Sequence, residues 1–272
     1  MIRKFYLENS KGENWNLNNN GEKRTFFHSL AGLGYTNDSS YFKKNYDFEV
    51  DVQSFSQDEV QGNLFFRNPN AYKNYFDFVN FCQLTPLLLK YETDAGNFEK
   101  RVEVGKIEKS EIEHNGLNCP VTFKTLSLWL KRKAPVIADY DSYSDQYSLE
   151  VSNSSNLPAK VRLTFELVGV FSNPSWKWTG ENNTEYTGKV NEIFFLNQCL
   201  EVSNFYSDCI IHRFSFNCPE DYVSVYELSD FSTKRFIEIP PNTNMHIECE
   251  VQVSDNLQTI IKAEVAEQYV SV

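Results

Sequence analysis

Long apolar runs are absent from this 272-residue chain. Segments such as Pro86–Leu89 and Ile193–Leu196 fall far short of the ~20 apolar residues that a membrane-spanning helix needs. The basic pair Arg3 and Lys4 is not followed by the apolar stretch of about 7–15 residues that marks a secretory signal, so we expect no signal peptide and no membrane association. Glycine (11) and proline (9) are scarce, which excludes collagen-like and low-complexity proteins.

Basic residues are outnumbered by acidic ones. Lys and Arg total 26 against 37 Asp and Glu, a formal net charge of −11. A general nucleic-acid-binding protein needs a basic surface to replace phosphate counterions, so specific nucleic-acid binding is not expected. The basic run Lys131–Lys133 is therefore interpreted as a solvated edge or domain border.

Zinc, redox and metal-binding motifs are also missing. The six cysteines include no pair with two-residue spacing, and the four histidines show no metal-ligand spacing. We interpret the cysteines as reduced thiols that act as small apolar residues; a disulfide from Cys199 to Cys209 or Cys218 stays open. His212 alternates with aromatic residues and is interpreted as a strand-face residue rather than a catalytic base.

Catalytic signatures are equally absent, because the chain has no nucleophile elbow and no phosphate-binding loop. The pair Gly32 and Gly34 lacks the third glycine of a dinucleotide loop and predicts a turn. Asp139, Asp141 and Asp145 begin like a calcium loop, but the required glycine does not follow. We therefore predict no catalytic residues, no cofactor, no metal and no enzymatic activity.

Aromatic residues are what the chain has in abundance, at 15% of all positions. Hydrophobic residues make up 41%, enough for packed cores, and the length suggests two domains at about 150 residues each. A ring-forming protein would also use aromatics, since they are enriched at the cores of protein interfaces.

The first half of the chain predicts strands and one main helix. Residues 46–55 alternate apolar and polar positions and predict the clearest strand. Residues 69–84 predict a helix with Asn68 as N-cap and Pro69 as its first residue. Its apolar stripe comprises Tyr72, Tyr75, Phe76, Val79 and Cys82. Further strands are predicted at 87–91, 98–104, 107–112 and 119–130.

The second half predicts strands almost throughout, which favours an antiparallel sandwich or jelly roll. The predicted strands lie at 161–167, 211–217, 222–226, 236–239, 245–253 and 259–265. Residues 171–190 are predicted to form a loop, and the domain boundary falls between Lys133 and Tyr147. The fold class is therefore mainly β, with domains at 1–133 and 134–272.

Trp176 and Trp178 carry two interpretations. Two residues apart on an extended segment, they share one face and could contact a glycan or a partner, as stacking aromatics do in sugar-binding sandwiches. The alternative is ordinary core packing of this segment against its own domain.

The order of features resembles the distal tail (Dit) proteins of long, flexible-tailed phages of Gram-positive hosts. In the first half, the matching segments are FYLENSKGENWNL (5–17), the turn 32–34, the strand 46–55, the helix 69–84, PLLLKY (86–91), VEVGKIEKSE (102–111) and the strand 123–129. In the second half, PAKVRL (158–163) and Asn173-Pro174 match. These matches cover most of the chain, and are denser in residues 1–133.

The resemblance implies an N-terminal ring-forming (belt) domain, similar in fold to tail-tube proteins, and a C-terminal galectin-like β-sandwich. Six copies would form a hub ring at the virion tail tip, made in the host cytoplasm, that joins the tail tube protein to the tail-associated fibre or lysin protein. Many relatives also carry receptor-binding proteins, some on a long arm; only the 171–190 loop could serve here. DNA would only pass through the lumen, where acidic walls would limit its adhesion.

Three hypotheses of function remain. A hub requires closed rings with partners on two faces. A carbohydrate-binding β-sandwich module that contacts the bacterial envelope requires that Trp176→Ala or Trp178→Ala abolish glycan binding while the fold stays intact. An enzyme, such as a glycan hydrolase with two facing carboxylates, requires turnover that one Asp or Glu substitution removes.

Overall fold

The structure is a computed structural model in two compact units. It describes residues 3–18, 24–34, 37–44, 47–55, 58–141, 146–166, 170–180, 183–205, 209–232, 236–253 and 259–272. Unit 1 comprises Met1–Lys131 with Tyr269–Val272, and unit 2 comprises Arg132–Gln268. Tyr46, Asp145 and Leu167, which belong to predicted features, lie outside the described residues. Within the described ranges, no helix has the length and apolar character needed to cross a membrane.

Unit 1 contains eleven strands and one α-helix among its described residues. The strands are β1 (Lys4–Glu8), β2 (Asn14–Asn16), β3 (Thr25–Ala31), β4 (Asn37–Lys44), β5 (Asp47–Phe55), β6 (Glu59–Arg67), β7 (Leu87–Thr93), β8 (Gly96–Ile107), β9 (Ile112–Glu113), β10 (Gly116–Thr125) and β11 (Trp129–Arg132). Helix α1 (Ala71–Cys82) lies between β6 and β7.

The antiparallel strands of unit 1 close into a barrel. Their order is β2–β1–β7–β8–β10–β6–β3. The segment after β2 joins the two ends, because the Leu17 amide donates to the Phe5 carbonyl and the Phe27 amide donates to the Leu17 carbonyl. Closure removes exposed strand edges from this sheet. Inward-facing residues such as Leu7, Leu64 and Phe123 are fully buried.

Helix α1 packs an aromatic face against the barrel. Phe78 and Phe81 lie 5.2 and 5.5 Å from the Trp15 ring centroid, and the Trp15 indole N–H donates to Thr25 Oγ1 at 3.1 Å. The helix is two residues shorter at each end than predicted, and Asn70, not Asn68, occupies the N-cap.

The apolar stripe predicted for this helix is only partly correct, because Tyr75 and Cys82 pack against the core but Tyr72 and Phe76 do not. The buried residues are Ala71, Asn74, Phe78 and Phe81, whereas Phe76 is 64% exposed and Tyr72 42%. Helical periodicity alone marks two adjacent aromatic faces here, and the barrel covers only one of them. The other aromatic face is left on the surface.

Two predicted strands of the first half also differ from the structure. Residues 107–112 are not one strand, because β8 ends at Ile107 and β9 begins at Ile112. The predicted strand 119–130 is divided into β10 and β11, with Leu126 42% exposed at the break. The Thr125 amide and the Leu126 amide instead donate to Asp58 and Arg101 carbonyls.

Unit 2 consists of two antiparallel sheets and their connections. Its strands are β12 (Val136–Ile137), β13 (Asp139–Asp141), β14 (Gln146–Asn153), β15 (Ala159–Glu166), β16 (Phe171–Thr179), β17 (Glu185–Val190), β18 (Ile193–Phe194), β19 (Gln198–Ser203), β20 (Ile210–Ser215), β21 (Cys218–Ser224), β22 (Ser229–Phe231), β23 (Glu238–Ile239), β24 (Thr243–Val253) and β25 (Ile260–Tyr269). One sheet has the order β25–β15–β19–β20–β21, and the other has the order β13–β14–β24–β16–β17–β22. The mainly β fold class is confirmed.

The sequence prediction for residues 171–190 is wrong. These residues form the hairpin of β16 and β17 within the second sheet of unit 2. Asn173-Pro174, which resembles a turn in sequence, lies at a register shift where β16 pairs with β24, and Asn173 has a positive φ of 52°. A bulge of this kind carries turn residues without ending the strand.

A buried asparagine ties two connections of unit 2 together, the one between β14 and β15 and the one between β23 and β24. Asn153 is 3% exposed, and its Nδ2 donates to the carbonyls of Leu157, Ile239 and Pro240 at 2.7–3.1 Å. Its Oδ1 accepts from the Ser155 amide and hydroxyl at 2.9 and 2.8 Å. One side chain thus satisfies several buried backbone groups where loops meet.

All six cysteines are free thiols in the structure, and they differ in exposure. We expect a thiol reagent at pH 8 to modify Cys209 and Cys218 quickly, because both are exposed. The other four should react only after unfolding, since the thiolate is the nucleophile; burial raises the pKa of Cys82 to about 12 and also raises the pKa of Cys119 and Cys249. Counting thiols with a chromogenic disulfide, native and denatured, checks this.

The double variant C209S/C218S is the control for this count and should lose the fast phase. Rapid modification of the four remaining thiols in the native protein would contradict the assignment.

Candidate functional site

Trp176 and Trp178 lie in the core of unit 2, each 1% exposed. Trp178 stacks on Tyr186 at 5.4 Å, and Trp176 packs against Phe165 and Phe231 at 6.2 and 6.1 Å between ring centroids. A Cβ on Gly188 would lie 2.5 Å from two Trp176 ring carbons, so only glycine lets the indole lie against β17. This position favours core packing; glycan or partner contact by these residues stays a prediction.

The hairpin formed by β4 and β5 pairs only with itself in the described part of the chain. Its register runs from Asn37 opposite Phe55 to Lys44 opposite Asp47, and it is a separate two-stranded sheet. A two-stranded hairpin alone is marginally stable in water and has two open edges. This hairpin is the clearest element of unit 1 that needs a partner surface.

The outer face of α1 adds a second exposed surface in unit 1. Phe76 projects into solvent, while the Tyr72 hydroxyl donates to Glu111 Oε2 at 2.5 Å and Lys109 lies 5.0 Å from the Tyr72 ring centroid. The hydrogen bond to Glu111 raises the pKa of Tyr72. An apolar cavity of about 220 Å³ lies between α1 and β8. It is lined by Phe78, Val79, Cys82, Gln83, Val104 and Ile107.

A third surface lies on the connections of unit 2. Phe195, Leu196 and Phe216 are 58%, 59% and 61% exposed. They lie on adjoining turns, because the Phe216 amide donates to the Asn197 carbonyl at 2.8 Å. Large apolar side chains grouped in this way mark interaction surfaces more often than single exposed ones do.

A polar groove of about 620 Å³ crosses the outer face of the second sheet of unit 2. Its lining side chains come from β14, β24, β16, β17 and β22. One row of neighbouring residues runs across these strands: Gln146, Glu250, Ser175, Lys189 and Asp230. A second row contains Glu248, Lys177 and Thr187.

His212 is an ionisable residue whose position is predicted from the sequence. His212 is half-buried on β20 and stacks on Tyr222 at 4.5 Å, and burial lowers its pKa against the opposing effect of Glu201. This is the strand-face position predicted for it. In the ranges that the structure describes, no three His, Cys, Asp or Glu side chains group as metal ligands do.

Sequence reasoning did not identify the polar groove, the hairpin or the apolar turns as sites. A signal for the groove exists in residues 245–251, where Glu248 and Glu250 alternate with the buried Ile247 and Cys249. That alternation shows which side chains face outward. It does not show which other strands bring Lys177 and Lys189 beside them.

Comparisons with known proteins complete these observations. The family model described as "Distal tail protein, N-terminal domain" matches residues 4–126. A search of curated proteins finds no match. Among solved structures, a chain of the phage p2 baseplate in its activated conformation with Sr is similar over 100% of both chains, with TM-score 0.76 and 12% identity.

A second similar structure is the SPP1 Dit protein. It has TM-score 0.58 and 9% identity over 97% of this chain and 99% of that one. That protein is described as a paradigm of the hub adsorption apparatus in phages that infect Gram-positive bacteria. At these identities the likeness shows the fold, and the family match rests on residues 4–126.

Proposed function

Because residues 4–126 of this chain match the family model of the distal tail protein N-terminal domain, we propose that the protein is a structural hub of a phage tail tip or baseplate. Copies of the chain close into a hexameric ring, and unit 1 is the ring-forming domain. The ring is part of the virion tail, and its subunits are made in the host cytoplasm. Its role is structural, without catalysis.

The main observation that supports this proposal is the β4–β5 hairpin, which pairs only with itself in the described part of the chain. β4 and β5 contain 8 and 9 residues, and their outer edges have no strand neighbour in the described part of the chain. An adjacent copy that covers the hairpin would satisfy those edges. Hairpin and covering surface are different parts of one chain, so the contact is heterologous, and such contacts repeat around a closed ring.

The partners of the ring follow from its place in the tail. We propose that it connects the tail tube protein to the tail-associated fibre or lysin protein, and that it holds receptor-binding proteins during adsorption. The exposed face of α1 and the turns at Phe195 and Phe216 support contacts on both units. The net charge of −11 suits a lumen through which DNA passes without binding.

The mass of the assembled protein tests the ring. We expect light scattering after size exclusion to give six times 31.7 kDa, and negative-stain images of the same peak to show rings with a central opening. A monomer at every concentration, both alone and mixed with the tail tube protein, would contradict the proposal.

A further inference from the structure

We propose that the polar groove of unit 2 is a binding site for a neutral saccharide. The groove is the cavity of about 620 Å³ on the outer face of the sheet β14–β24–β16–β17–β22. This volume lies within the ~300–1,000 Å³ usual for small-molecule sites. The inference uses only unit 2 and does not rest on ring formation.

The groove presents its polar groups from a rigid surface. All lining residues except Ser232 lie on strands, and backbone pairing sets the spacing between neighbours. At one end, the Thr187 amide donates to Ser232 Oγ and the Ser232 amide donates to the Thr187 carbonyl, both at 3.0 Å. These bonds fix the short strand β22 beside β17.

Donors and acceptors alternate along the main row. Glu250 pairs with Gln146 on one side and Ser175 on the other, and Lys189 pairs with Ser175 on one side and Asp230 on the other. Among the described residues, the side chains of Gln146, Ser175, Lys189 and Glu250 are not engaged in a hydrogen bond or ion pair. They are therefore available to a ligand without breaking protein contacts.

The second row anchors one edge of the groove. Lys177 Nζ lies 2.9 Å from Glu185 Oε1 and 3.9 Å from Glu248 Oε2. The hydrogen bond to Glu185 raises the pKa of Lys177, so this amine stays charged. Asp230 accepts from the Asn191 side-chain amide at 2.5 Å, which orients its carboxylate at the opposite edge.

The charge pattern selects the class of ligand. The lining contains two ammonium groups, Lys177 and Lys189, and three carboxylates, Asp230, Glu248 and Glu250. The carboxylates would repel a polyanion, and the ammonium groups would repel a metal ion. An apolar ligand would leave the polar groups desolvated without partners. Hydroxyl groups both donate and accept, so adjacent sugar hydroxyls can bond to carboxylates and to ammonium groups at once.

Aromatic side chains support the groove from the core side of the sheet. Phe231 packs on Trp176 and Tyr226 at 6.1 and 6.0 Å between ring centroids, on the face of the sheet opposite Asp230. Trp176 itself supports the floor from the core side, with its ring buried.

A glycan array tests the proposal, with neutral and amino-sugar oligosaccharides of two to six rings as probes. We expect the full-length protein to bind a subset of them, with little effect of added salt, because no net charge is neutralised. Lys189→Ala and Glu250→Gln should each weaken binding at least tenfold by titration calorimetry with the array's strongest ligand.

The matched control is Glu150→Gln, the same change on the neighbouring strand β14 and outside the lining residues. It should bind as the unchanged protein does, and thermal unfolding should be the same for all three variants. No binding to any probe would overturn the proposal, as would binding that the two groove substitutions leave intact. Light scattering of the same variants keeps this outcome separate from any failure of the ring.

Discussion

Removal of the β4–β5 hairpin is expected to convert rings into monomers. The variant replaces residues 37–55 with a short Gly/Ser linker. Within the described part of the chain, the hairpin's only strand pairing is internal, so the barrel of unit 1 keeps all of its ladders. The subunit contact that we propose, by contrast, loses the element whose open edges require cover. Light scattering after size exclusion measures the change.

The control for this deletion leaves unit 1 untouched. Phe216→Ser removes a 61% exposed side chain from unit 2 and should leave the ring mass unchanged. Thermal unfolding should show that the deletion variant is folded. A deletion variant that still forms rings of the original mass would contradict the assignment of the hairpin to the ring contact.

Asn153→Asp is expected to destabilise unit 2 by about 3–5 kcal/mol at pH 7, the range for an uncompensated buried charge. The change keeps the size of the side chain. It replaces an amide that donates to three carbonyls with a carboxylate that repels the same three oxygens. Chemical denaturation measures the loss in the free energy of unfolding.

The pH dependence of this variant provides a second readout. The loss should shrink toward acidic pH, because a protonated carboxyl group is neutral and can again donate one hydrogen bond. Asn156→Asp is the control on the same connection: this residue is exposed, and its Oδ1 accepts from the Asn242 side chain at 3.1 Å. Equal losses for both variants would show that the buried amide has no special role.

Several local features could be predicted from the sequence because their causes are local. Alternation at residues 161–167 and 245–253 predicts strands that the structure contains as β15 and β24, since one face of each meets the core and the other meets water. The strand 46–55 corresponds to β5, Asp47–Phe55. The position of the one α-helix of the described residues follows from its periodicity and the flanking prolines.

Other features depend on residues that are distant in sequence. Tyr72 and Phe76 are apolar at helical spacing, yet they lie on the surface because Trp15 and Phe66 contact the neighbouring face. Residues 171–190 are predicted to form a loop, and they contain the turn-type dipeptide Asn173-Pro174. They form a hairpin because β24 pairs with β16 across the bulge.

Trp176 and Trp178, the two site residues predicted from the sequence, show the same difference between local and tertiary causes. The sequence alone determined that Trp176 and Trp178 share one face, because side chains alternate along an extended chain. Only the tertiary structure decided that this face is the core, since the sheets of unit 2 enclose it.

By itself, then, the sequence determined the mainly β class, the single main helix and the resemblance to distal tail proteins. The family model that matches residues 4–126 confirms this resemblance. The tertiary structure decided which faces are buried, which hairpin lacks a partner and which charges meet across strands. The physical reason is that periodicity is a property of consecutive residues. Burial and cross-strand neighbours depend instead on the register between strands, and paired residues such as Gln146 and Glu250 are far apart in the chain.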